Sequence, residues 1–250
     1  MDRHAFITGG GSGIGLAIAR VLAQGRWRVT IAGRTEARLR DVAKVIPGAR
    51  IQPLDVTDPE AVPLAFRVAA DSAGPIHLLV NNAGSVISAP FKDTDVTAWQ
   101  TMFEVHVMGA VHCIQAALPQ MTANGWGRIV NIASTAGLVG YRKVSAYVAA
   151  KHALVGLTRA LALEVAKTGV TVNAVCPGYT DTEIISSAVA RFAAKSQQSL
   201  ESAVARFTAA NPQGRLVKPD EVAAAVLWLA SDEAAAVNGI ALPVAGGEVS

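Results

Sequence analysis

The chain has 250 residues, 51% of them hydrophobic and 16% charged, with a net charge of +3. That suffices for a sizeable core, and the small positive excess forms no Lys/Arg block, so no nucleic-acid partner is expected. No apolar run approaches the roughly 18–20 residues of a membrane span. The opening MDRHAFITGGG enters an apolar strand at once, without room for a signal or transit peptide, so a cytoplasmic protein is expected. Cys113 and Cys176 lie far apart in apolar surroundings with no ligand spacing, which predicts free core thiols and no metal.

Short β-branched runs alternate with longer helical patterns from end to end. Strands are predicted at 4–8, 27–32, 49–54, 76–80, 128–133, 170–175 and 239–244, and helices near 13–24, 35–45, 59–72, 96–123, 145–168 and 219–230. This order predicts an α/β fold, a seven-stranded parallel sheet with helices on both faces, and the lack of a Pro/Ser-rich linker predicts a single domain over 1–250.

The first strand runs into Thr8-Gly9-Gly10-Gly11-Ser12-Gly13-Ile14-Gly15 and then a helix. Such glycines let the backbone turn tightly and approach a pyrophosphate, which the free N–H groups and dipole of the helix N-terminus attract. Counted from Gly9, the last glycine of G-x-G-x-x-G falls on Ile14, and a purely structural turn is the other reading. The second strand ends at Ala32-Gly33-Arg34-Thr35-Glu36. An arginine here pairs with the 2′-phosphate of NADP, whereas an acid binds the ribose 2′-hydroxyl of NAD. Arg34 favours NADP(H). Glu36 keeps NAD(H) open, although it also reads as a first-turn acid behind an N-cap at Thr35. Asp55-Val56 follows the third strand and Asn81-Asn82-Ala83-Gly84 the fourth, at the sheet edge that lines the ligand crevice of doubly wound folds. Asn82 offers an anchor there, and Ala83 and Gly84 leave room for a flat ring.

The helix at 145–168 carries Tyr147 and Lys151, whose i,i+4 spacing puts phenol and ammonium on one face, about 5–6 Å apart. A phenol beside a positive charge is a proton donor for a carbonyl, and Ser134 precedes it in the loop after the fifth strand. From a starting value near 10, each unit of lowering needs about 1.4 kcal/mol, which Lys151 and an oxidised nicotinamide are expected to supply. The plainer readings are a helix-face contact and a capped turn. Residues 179–212 are too long for an ordinary connection and contain SAVARF twice, at 187–192 and 202–207. Coincidence in an Ala-rich helix is one reading and a helical substrate lid the other. Arg191 and Arg206, one in each copy, are candidates for the phosphates of coenzyme A or an acyl carrier.

On these motifs the whole chain resembles the short-chain dehydrogenase/reductase family. TGGGSGIG looks like its TGxxxGxG, NNAG is similar to its fourth-strand motif, and Ser134, Tyr147 and Lys151 match its catalytic spacing. Pro177-Gly178 also agrees, and LEVAKTGVTVNAVCPG looks most like ketoreductases of 3-oxoacyl thioesters. The resemblance implies a Rossmann-type domain, with Gly9, Ser12, Gly13, Ile14, Gly15, Arg34, Asp55, Val56, Asn82, Ala83, Gly84, Tyr147, Lys151, Pro177 and Gly178 around NADP(H). It further implies Tyr147 as acid, Lys151 on the nicotinamide ribose, Ser134 on the substrate oxygen, and a homotetramer or homodimer. The family's V-N-x-x-x-G segment reads Val105-His106-Val107-Met108-Gly109, so His106 replaces the asparagine that anchors a water beside the lysine. Either it takes that role or it is a core histidine; His112 and His152 read as structural. The expected activity is an NADPH-dependent ketoreductase acting on a 3-oxoacyl thioester or bulky ketone. An NAD-dependent hydroxyacyl-CoA or alcohol dehydrogenase and a catalytically silent cofactor sensor are the alternatives.

Overall fold

A computed structural model describes residues 3–249. The strands β1 (His4–Thr8), β2 (Arg28–Gly33), β3 (Arg50–Pro53), β4 (Ile76–Asn81), β5 (Gly127–Ile132), β6 (Val170–Pro177) and β7 (Ala241–Val244) form one parallel sheet, in the order β3-β2-β1-β4-β5-β6-β7. The order reverses between β1 and β4, so the loops leaving these two strands diverge and open a crevice at the carboxyl edge. β1, β5 and β6 are buried along their whole length, which is why apolar residues fill most of their positions, while the buried His4, Arg128, Asn131 and Asn173 are held by internal hydrogen bonds.

Helices cover both faces. On one, α1 (Gly13–Gln24), α2 (Glu36–Val45) and α9 (Pro219–Leu229) bury Ile18, Leu22, Leu39, Val226 and Leu229. On the other, α3 (Ala61–Ala73) and α5 (Gly109–Ala123) bury Val62, Phe66, Cys113 and Met121, with Phe66 stacked 4.2 Å from Phe6 of β1. Each large apolar side chain buried this way stabilises the fold by roughly 1.5–3 kcal/mol. Among the described residues no helix is long and apolar enough to cross a membrane.

Two predicted helices differ. The segment 96–123 is not one α-helix: α4 (Val96–Phe103) passes into a π-helical turn at Glu104–Met108 before α5 begins. The extra residue in that turn lets His106 face inward and brings the backbone of Gly109 so near Val56 that a Cβ would sit 2.6 Å from Val56 Cγ2. The helix predicted at 145–168 is α6 (Ser145–Glu164); it stops early because the chain must turn at Gly169, whose φ of +79° suits glycine.

The long segment after β6 folds as two helices, α7 (Glu183–Ser196) and α8 (Leu200–Thr208). Gln197, at φ +54°, ends α7, and the Ser199 hydroxyl accepts from Ser202 N at 3.1 Å to cap α8. The two SAVARF copies face each other: Val189, Ala193 and Ala203 are buried with Phe192, Val204 and Phe207 in a small core separate from those of the sheet.

Candidate active site

β5 delivers Ser134 to the crevice. Its hydroxyl accepts from Ala136 N at 3.1 Å and so caps a 3-10 turn, Thr135–Gly137. That turn sits hard against α6, since a Cβ on Gly137 would lie 2.8 Å from Lys151 O. The packing seats the Ser134 hydroxyl beside the Tyr147 phenol, close enough to favour the phenolate. The capped turn and the Tyr–Ser pair are thus both present. Lys151 is 5% exposed, its Nζ donates to Ile132 O at 2.7 Å, and it lies 5.6 Å from the Tyr147 ring centroid.

The electrostatics correct one expectation. Burial pushes the Tyr147 phenol up to about 12, and the hydrogen bond from Ser134 is what opposes it. Lys151 is itself pushed down to about 7 by burial. In the cofactor-free protein it is therefore Ser134, and not Lys151, that favours the phenolate.

His106 is buried, with its ring edge-on to Tyr147 at 5.2 Å. Its Nε2 lies 2.7 Å from Ser85 O, a carbonyl, so Nε2 carries the proton and Nδ1 is left as an acceptor. Burial first, and then the charge of Lys151, lower the imidazole to about 3, which keeps it neutral. Nδ1 has no protein partner, and neither does the buried Asn81 Oδ1. Both residues line a cavity of about 10 Å³ together with Lys151 and Thr8. Asn81 is a residue that the motif reading passed over in favour of its neighbour Asn82; its Nδ2 is fixed by Asn131 Oδ1 at 2.8 Å, leaving its oxygen aimed at the cavity. His112 and His152 bond backbone carbonyls of Val56 and Val148, as structural residues do.

The glycine loop forms a cradle that side chains would fill. Gly9 (φ +64°) and Gly13 (φ +51°) have left-handed backbones, and a Cβ on Gly15 would sit 2.6 Å from Asn82 Nδ2. Asn82 in turn clamps the loop through Thr8 O at 3.0 Å and Gly9 O at 3.1 Å. Ser12 stands at the N-cap of α1 without making a side-chain cap, so its hydroxyl and the first-turn N–H groups remain for an anion, and no acid occupies that turn. Arg34 is exposed at the end of β2. Glu36 is held by Arg40, 3.1 Å from its Nε, and Thr35 occupies the N-cap without the side-chain bond expected of it. Asp55 Oδ1 accepts from Thr57 N and Oγ1, Val56 faces the small cavity, and Ala83, Gly84, Pro177 and Gly178 flank the same strand ends. The cradle fits a dinucleotide.

Beyond Tyr147 the crevice wall is aromatic. Tyr179 stands T-shaped to Tyr141 at 6.3 Å and to Phe207 of α8 at 5.2 Å. The Tyr141 hydroxyl bonds Thr135 Oγ1 at 2.8 Å and the carboxylate of Glu248, a residue with no recognisable sequence signal. Arg206 lies over the Phe192 ring at 5.2 Å, a contact internal to the two-helix unit, while Arg191 is exposed.

A glycine cradle at the switch point of a doubly wound sheet, beside a half-buried phenol, defines an NAD(P)-dependent oxidoreductase. The family model described as short chain dehydrogenase matches residues 3–191. A D-beta-hydroxybutyrate dehydrogenase of Rhizobium meliloti (strain 1021) is 37% identical, covering 99% of this chain and 98% of the relative. A monensin polyketide synthase putative ketoacyl reductase of Streptomyces virginiae is 39% identical over 98% of this chain and 97% of its own length. The solved structure of an actinorhodin polyketide ketoreductase with NADPH superimposes with a TM-score of 0.95 at 38% identity, over 99% of this chain and 97% of that one. The chain belongs to the short-chain dehydrogenase family.

Proposed function

We propose that the protein is an NADPH-dependent ketoreductase converting an uncharged ketone, of the 3-oxoacyl thioester or bulky ketone class, to a secondary alcohol. The observation that carries this reading is the Ser134–Tyr147 hydroxyl pair set over buried Lys151 beside the glycine cradle. The ketoacyl reductase relatives and the NADPH of the actinorhodin structure lend it weight. Gly9, Ser12, Gly13, Ile14 and Gly15 would hold the pyrophosphate and Arg34 the 2′-phosphate; Asp55, Val56, Ala83, Gly84, Pro177 and Gly178 would line the remainder. When bound, the reduced nicotinamide supplies the hydride taken up by the ketone carbon.

The chain's own residues handle the proton. Tyr147 donates it to the carbonyl oxygen, and Ser134 turns its hydroxyl from the phenol to that oxygen. A phenol held near 12 by burial gives up a proton readily only to a strongly basic partner such as a developing alkoxide, so transfer is tied to carbon–hydride bond formation. For refilling, the cavity bounded by His106 Nδ1, Asn81 Oδ1 and Lys151 has the size and polarity for one water, with His106 as its acceptor wall. The α7–α8 unit serves as a lid. Its separate core, the ion pair of Arg38 with Glu183 at 3.1 Å and the approach of Thr182 to Gly13 suit a cover that rests on the cofactor loop. Family likeness, with exposed Phe103, Met108 and Leu163 on the helices concerned, supports a homotetramer or homodimer.

The relative named for hydroxybutyrate favours a second reading, an NAD-dependent hydroxy-acid dehydrogenase running the reaction in reverse. The decisive experiment is Tyr147→Phe assayed by NADPH oxidation with a ketone panel. The expected result is a loss of about 10²–10⁴ in kcat with NADPH affinity intact. Near-normal turnover in the variant would overturn the assignment.

A further inference from the structure

We propose that Glu248 is a specificity-determining residue, whose carboxylate turns away substrates bearing a carboxylate next to the ketone and leaves the site to uncharged ones such as esters and thioesters. The inference rests on the ketoreductase reading and names the substrate class it implies.

Three observations carry it. First, Glu248 arrives at the crevice from the C-terminal segment and spans it: one oxygen meets the Tyr141 hydroxyl, and the other lies 2.6 Å from where a Cβ on Gly178 would stand. Second, these neighbours bracket the reacting centre. Tyr141 is bonded to Thr135, next in sequence to Ser134, and Tyr179, which follows Gly178, is near enough to Tyr147 to influence its acidity. Third, the charge is not neutralised. Among the described residues the ion pairs are Arg3–Asp232, Arg20–Asp220, Arg38–Glu183, Arg40–Glu36, Lys44–Asp41 and Arg215–Glu221, and none involves Glu248. The Tyr141 hydroxyl is a neutral partner and makes no ion pair with the carboxylate. Beside it stands the ring of Tyr141, T-shaped to Tyr179, which in turn meets Phe207, so the wall next to the carboxylate is aromatic. Like charges a few ångströms apart in a half-buried site repel strongly, whereas an ester or thioester in the same place meets only aromatic surface.

Glycine at position 178 is part of the device. Any side chain there would collide with Glu248, so the carboxylate keeps its place only against a bare backbone.

The test compares acetoacetate with ethyl acetoacetate, which share the ketone and differ in charge. Binding of each to the NADPH-loaded protein is measured by calorimetry, and turnover by NADPH oxidation, in wild type, Glu248→Gln, Glu248→Asp and Tyr141→Phe. Glu248→Gln is expected to tighten acetoacetate by roughly tenfold or more, the scale set by removing one like charge at close range. The ester is the uncharged reference, and its affinity should change far less than that of acetoacetate. Glu248→Asp and Tyr141→Phe, which keep the charge, should retain the wild-type ratio of the two affinities. An unchanged ratio in Glu248→Gln, or the same change in Tyr141→Phe, overturns the inference. Wild type that binds the ester and does not reduce it overturns the ketoreductase reading, while the affinity ratio still decides the role of Glu248.

Discussion

Replacing Lys151 with methionine tests whether the lysine at the heart of the site is a stored electrostatic cost. The side chain is 5% exposed, its Nζ has a backbone carbonyl as partner, and burial brings its folded pKa down from 10.5 to about 7. Below pH 7 the folded and unfolded chains both carry the proton, and the full cost of burying the ammonium is present. Between about 7 and 10.5 the unfolded chain holds a proton that the folded chain has released, so stability rises with pH by about 1.4 kcal/mol per unit. The whole interval, 10.5 − 7, corresponds to about 5 kcal/mol as an order of magnitude. Methionine has a similar volume and does not titrate. Melting temperatures of cofactor-free wild type and Lys151→Met, taken from pH 6.5 to 9.5, should converge or cross as pH rises, with the wild type gaining about 3 kcal/mol on the variant. For a domain of this size that is roughly 6–12 °C. A difference between the two proteins that does not move with pH would show that Lys151 keeps its proton, and would refute the account of its burial.

Two other substitutions probe the neighbourhood. A Cβ at position 84 would lie 2.5 Å from His106 Cε1 and 3.0 Å from Nδ1, so Gly84→Ala should cost about 1–3 kcal/mol in urea unfolding. In a His106→Ala background that cost should vanish, and additive effects would place the strain elsewhere. Arg34→Asp should weaken NADPH by at least about tenfold, through loss of a charge-assisted bond, while NADH changes little. Titration of cofactor fluorescence reads both affinities, and an equal loss for the two cofactors would remove Arg34 from the 2′-phosphate.

Much of this architecture is local in origin, which is why the residues disclose it. Strands buried along both faces are largely apolar, and the glycines at 9, 13 and 15 stand where side chains are strained or excluded. Tyr147 and Lys151 meet because helical spacing obliges them to. What stayed hidden depends on the third dimension. The π-turn leaves the run of apolar residues undisturbed, so 96–123 looks like an ordinary helix. The weakened charge of Lys151 follows from the depth of its burial, which no spacing rule records. Thr35 and Glu36 do stand at the N-cap and in the first turn of α2; what their residue types do not record is that the Thr35 hydroxyl makes no cap bond. Glu248 reaches Tyr141 across 107 residues of chain, and a lone acid near a terminus carries no mark of that journey.

The π-turn has a consequence for how this helix tolerates change in length. Losing one residue from a surface loop is commonly absorbed by its neighbours. Losing one from Glu104–Met108 would let the wide turn close as an ordinary α turn, with α4 and α5 keeping nearly the same facing. Met102, fully buried with Ala146 and Ala150 of α6, would keep its seat, whereas His106, a residue of the turn itself, would lose the backbone that places it in the wall it shares with Lys151. A single-codon deletion here is therefore absorbed by the helix and felt in the cavity beside Lys151.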